Sequence, residues 1–120
     1  MRAVKLYDAQ LVQSLNRSLG PTLVAFAADM RDRQKPAQAA VGTQRLDLSE
    51  RQRLELVYDL FNDVAKAQHS QDLARAWFIG ANCGVAGTKQ VSPAEAIRHG
   101  QFEDARRSAQ RMLDPEEMGS

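Results

Sequence analysis

The side chains best suited to covalent chemistry in this chain are one thiol, Cys83, and two imidazoles, His69 and His99. A thiol–imidazole pair works only when the base lies within hydrogen-bond reach and a third group orients it. Neither histidine stands in a motif that supplies such an arrangement, so Cys83 reads as an ordinary side chain. His99 falls near a helix end, where positive charge complements the helix dipole. Asn82, Gly84 and Gly87 suggest a phosphate loop, but G-x-x-x-x-G-K-[ST] and its preceding strand are missing. A lone cysteine and two distant histidines supply neither a disulfide nor a zinc ligand set. The expectation is a protein without catalytic residues, metal or cofactor: not an enzyme.

Two stretches carry recognition chemistry instead. Residues 22–42 have the spacing of a helix, a polar turn and a short second helix, which is that of a helix-turn-helix. Arg31, Arg33 and Lys35 fall at or near the turn, suited to phosphates. Gln34, Gln38 and Thr43 are candidates for base edges, although the second helix is Ala-rich and poor in bidentate readers. Residues 73–100 are more specific. Trp77-Phe78 is followed by Gly80-x-Asn82, Gly87, and then Ser92-Pro93-x-x-Ala96-Ile97-x-x-Gly100. An aromatic pair anchors a helix, Asn and Gly shape a compact turn, Ser-Pro restarts the chain, and the last glycine permits a reversal.

The elements that position these residues read as helical nearly throughout. The first helix is expected over 8–19, with Leu11, Val12, Leu15 and Leu19 on one face, Asp8 as its N-cap and Gly20 as its stop. A second runs from Pro21 to Met30 with Leu23, Val24, Ala27 and Met30 inward, and a short third spans 36–41 before Gly42. The longest covers 49–68, capped by Asp47 with Glu50 or by Ser49 with Gln52. Its Leu54, Val57, Tyr58, Phe61, Val64 and Ala65 form one stripe, which Leu56 and Leu60 widen to a second face. Ser70 caps a helix to Ile79 that buries Leu73, Ala74, Trp77 and Phe78. Ser92-Pro93-Ala94-Glu95 starts another that ends at Gly100, and a last one covers 102–113. No stretch alternates long enough to be a strand. The fold class expected is all-α, with about seven short helices.

Composition sets the outer bounds. The 120 residues suit one domain, or one with a short arm, and bury roughly two-thirds of the unfolded surface. With 43% hydrophobic and 26% charged residues the chain is not of disordered type, and 6% aromatics leave the core to Leu, Ala, Val and Ile. No apolar run is long enough to span a membrane and the start lacks a secretory signal, so a cytoplasmic location is expected. Residues 1–46 hold seven Lys/Arg and three Asp/Glu (+4), and residues 47–120 hold nine and twelve (−3). A basic front half permits a nucleic-acid face at one end.

The segment from Arg75 to Gly100 resembles the toxin-binding domain of the Xre–MbcA–ParS antitoxins, through Arg75, Trp77, Phe78, Asn82, Gly87, Pro93, Ile97 and Gly100. Arg53-Leu54-x-Leu56-Val57-Tyr58 with Phe61 resembles the family's linker helix. Gly20 to Ala25 and the Arg31-Asp32-Arg33 turn resemble its degenerate helix-turn-helix front. Cys83 departs from the family's usual Pro after Asn, and Val85-Ala86 from its Leu and small residue. The resemblance implies a degenerate helix-turn-helix region over 1–46, a linker helix and toxin-binding domain over 47–113, and a flexible tail over 114–120. It implies an antitoxin that neutralises a RES-domain, NAD-consuming toxin by occluding its cleft, and that represses its own operon as a dimer on operator DNA. The toxin-binding residues expected are Trp77, Phe78, Asn82, Gly87, Arg106 and Arg111; Glu116 and Glu117 in the tail are added on charge alone, as partners for basic groups in a dinucleotide pocket. The DNA-binding residues expected are Arg31, Arg33, Gln34, Lys35 and Gln38. The alternative is a helix-turn-helix-like transcription regulator with no toxin partner.

Overall fold

The computed structural model describes residues 7–83 and 90–113. Their regular structure consists of seven helices: α1 Asp8–Leu19, α2 Pro21–Ala28, α3 Lys35–Ala40, α4 Leu48–Gln68, α5 Gln71–Ile79, α6 Pro93–Arg98 and α7 Phe102–Leu113. Among the described residues the only extended pairing is one antiparallel bridge, Cys83 to Val91. The all-α expectation holds. The chain divides into two compact units, Met1–Asp59 and Leu60–Ser120, and the division falls within α4.

In the first unit α1, α2 and α3 pack on one another. Leu11, Val12, Leu15 and Leu19 of α1 are all buried, each contributing about 1.5–3 kcal/mol relative to exposure. Asp8 is not the N-cap; Tyr7 occupies that position. The Asp8 carboxylate is engaged elsewhere, accepting the Leu46 N–H at 3.1 Å and pairing with the Arg51 guanidinium. Gly20 is the whole α1–α2 connection. At φ 92 it donates to the Asn16 carbonyl and accepts from Val24, a backbone conformation open to glycine and few others.

Helix α2 stops at Ala28, two residues before the expected Met30. Asp29 takes the left-handed conformation (φ 59), and the Met30 N–H closes onto the Ala25 carbonyl at 2.8 Å. Met30 is still buried, whereas Leu23 is only half-buried. Helix α3 lies antiparallel on α1: the Gln13 amide donates to the Ala40 carbonyl at 2.6 Å and the Asn16 amide to that of Pro36 at 3.2 Å. The start of α4 uses the Asp47–Glu50 capping box, with reciprocal bonds of 3.0 and 2.7 Å. Ser49 is taken instead by the Arg53 guanidinium.

In the second unit Phe61 and Val64 of α4 are buried, and α6 packs on both α5 and α7. His69, at φ 55, terminates α4, and the Ser70 N–H returns to the Ala65 carbonyl at 3.0 Å. The Ser70 hydroxyl then caps α5 by accepting the Leu73 N–H at 3.1 Å. The buried stripe of α5 is Ala74, Trp77 and Phe78. Leu73 was expected inside but is 51% exposed, because it stands about 90° from the middle of the arc that Ala74, Trp77 and Phe78 span.

Candidate functional site

The turn after α5 is built by the residues that stood out in the sequence. Trp77 is 3% exposed and its indole N–H donates to the Ser108 hydroxyl of α7 at 2.9 Å. Phe78 is fully buried beside it, ring centroids 6.1 Å apart and tilted by 47°. Gly80 ends the helix, and its position has no room for a side chain. A Cβ there would stand 2.9 Å from the Asn82 amide nitrogen and 3.0 Å from the Ala76 carbonyl oxygen. That closeness lets Asn82 fold back and donate to the Trp77 carbonyl at 2.8 Å, satisfying an acceptor that the helix end leaves open.

The chain then pairs Cys83 with Val91 through two backbone bonds of 2.9 and 3.0 Å. The Arg111 guanidinium donates to the Asn82 carbonyl at 2.9 Å, and the Cys83 thiol to the Asp104 carbonyl at 3.7 Å. Burial raises the Cys83 pKa above its ordinary value. The Ser108 hydrogen bond and Arg111 oppose that shift, and Asp104 adds to it. At neutral pH the thiol is therefore protonated and shielded. Ser92 caps α6 by accepting the Glu95 N–H at 3.0 Å, with Pro93 in the first turn. Gly100, at φ 77, turns the chain toward α7.

The corner thus joins Trp77, Phe78, Asn82 and Arg111 into one bonded cluster, but turns the two aromatic rings inward. They hold the corner's shape and present no surface. Arg106 lies on the exposed side of α7, 3.4 Å from Glu103. Gly87, Glu116 and Glu117 lie outside the described residues. Sequence reasoning missed Ser108. Its signal was a lone hydroxyl within the small-residue face Ala105, Ser108 and Ala109, where a buried polar group requires a partner.

The residues assigned to DNA do not converge. Arg31, Arg33 and Gln34 are exposed in the turn between α2 and α3, where the Gln34 N–H donates to the Asp32 carboxylate at 2.9 Å. Lys35 is drawn away by an ion pair with buried Glu50 at 2.7 Å. The side-chain oxygen of Gln38 is buried without a partner, so it does not reach outward to bases. In α3 and its C-cap the exposed residues are Ala37 and Val41, and neither has hydrogen-bonding groups for a base edge; the Thr43 hydroxyl beyond them donates to the Gln38 carbonyl at 3.0 Å.

Among the described residues, no cluster of three or more His, Cys, Asp or Glu could hold a metal ion, and no helix is long and apolar enough to cross a membrane. Comparison of this chain with known protein families, with curated proteins and with solved structures finds no match.

Proposed function

We propose that this protein is an antitoxin-type inhibitor that binds a RES-domain, NAD-consuming toxin and blocks its cleft by occlusion. It adds no chemistry of its own. The observation that supports this reading is the corner after α5. The residues carrying the resemblance, Trp77, Asn82, Pro93, Ile97 and Gly100, are those that build the turn and the helix following it. A rigid turn of this kind is suited to presenting a preorganised surface, which lowers the entropic cost of binding. The surface itself would come from the outward side of α7, including Arg106.

The test is co-expression with a RES-type protein encoded next to this chain. Relief of growth arrest and recovery of cellular NAD are expected. Arg106→Glu should weaken inhibition and leave the melting temperature unchanged, because Arg106 is exposed and joined only to Glu103 among the described residues. Growth arrest that persists at full expression of folded protein would remove the reading.

A second reading, contact with operator DNA, draws on the exposure of Arg31 and Arg33. Contacts to phosphate predict affinity that falls steeply with salt, the slope shrinking by about one for each arginine replaced by alanine. Specific binding that is indifferent to Arg31→Ala and Arg33→Ala would eliminate this turn as the contact.

A further inference from the structure

The first unit contains a cleft of about 610 Å³ between the start of α1, the end of α3 with the loop after it, and α4. Three of its lining residues, Tyr7, Gln44 and Arg45, have exposed side chains. Tyr7 is 79% exposed, and its ring neither packs in the core nor caps α1 with its hydroxyl. Tyrosine is an unusual choice at an N-cap, where short oxygen-bearing side chains are favoured. Gln44 and Arg45 are exposed, and among the described residues neither side chain has a partner.

The other lining residues leave space and set the charge. Gly42 has no atom within 4 Å of where a Cβ would stand, and Ala39 contributes only a methyl group. Asp8 is neutralised where it stands by the Leu46 N–H and the Arg51 guanidinium. Among the described residues, the uncompensated charge of the lining is therefore Arg45, a guanidinium fork with several donors, beside an amide and an exposed aromatic face. Guanidinium groups recognise carboxylate, phosphate and sulfonate oxygens through charge-assisted bonds. The volume lies in the range of small-molecule sites, which run to roughly 300–1,000 Å³.

We infer that this cleft binds a small monoanion carried on a flat apolar body, its oxyanion on Arg45 and Gln44 and its ring against Tyr7. This site belongs to the first unit and is independent of the toxin-binding proposal.

The experiment titrates the full chain with anilinonaphthalene sulfonate, a flat aromatic monoanion, and follows backbone amide shifts. Saturable binding is expected, with shifts centred on residues 7–9 and 42–45. Arg45→Ala should weaken it about tenfold or more, the size of a lost charge-assisted bond. Arg45 is exposed and has no partner among the described residues, so this variant keeps the fold; Tyr7→Ala should also weaken binding. The neutral N-phenylnaphthylamine tests the charge and inorganic phosphate tests the ring; both should bind far more weakly. The inference is overturned if Arg45→Ala leaves the affinity unchanged, if the neutral compound or phosphate binds as tightly, or if the shifts centre elsewhere in the chain.

Discussion

The Trp77 indole N–H has one partner, the Ser108 hydroxyl, and both residues are buried. Ser108→Ala removes the acceptor and leaves the donor without water, at a cost of about 1–3 kcal/mol. The expected result is a lower urea midpoint with an unchanged m-value. Trp77→Phe in the Ser108→Ala background should recover part of that loss, because the orphaned donor is then gone. Cys83 gives a second prediction at this scale. Its thiol should resist iodoacetamide at pH 7.5 in the native protein and react once the chain is unfolded. Its pKa is raised by folding, so above about pH 8.5 the unfolded chain ionises this thiol while the native chain retains its proton. The contribution is fully present below that pH and declines as pH rises through the native value. Denaturant midpoints of the wild-type chain should therefore fall more steeply from pH 8 to 10 than those of Cys83→Ala.

Helix ends decide how the elements connect. Asp29 and His69 both hold the left-handed conformation without being glycine, at φ 59 and 55. Such a residue costs roughly 1–2 kcal/mol relative to glycine, so His69→Gly should raise the melting temperature although it removes a side chain. Asp47→Ala should act in the opposite sense. It deletes the acceptor of the Glu50 N–H at 2.7 Å, and cap losses of this kind cost about 1 kcal/mol. Thermal melts of the two variants beside the wild type check both signs. The Asp47–Glu50 box was legible in the sequence as one of two options, because its spacing is local. That Glu50 also anchors Lys35 was not legible, since fifteen residues separate the pair in the chain. The same long-range pairing withdraws Lys35 from the basic turn it was assigned to.

Across the whole molecule, the proposed activities rest on different residues and can be separated. In the full chain, Arg31→Ala with Arg33→Ala should lower any DNA affinity and leave toxin neutralisation intact, while Arg106→Glu should do the reverse. A gel-shift titration and the growth-rescue assay, run on both variants, read the two effects. Helix content, nearly every helix boundary to within two residues and the apolar face of α1 were determined by the sequence alone. They depend on period, caps and glycine stops within a few residues, and that information is local. Tertiary structure decided which conspicuous residues face outward. The helical pattern already buried Trp77 and Phe78, while the resemblance offered them as toxin contacts; the fold places both inside, where α7 supplies a hydroxyl and small side chains from about thirty residues away. Asp8, read as a cap, became a cross-link to Leu46 and Arg51 for the same reason. A side chain's local pattern states what it can bond to, and only the folded chain determines which partner arrives.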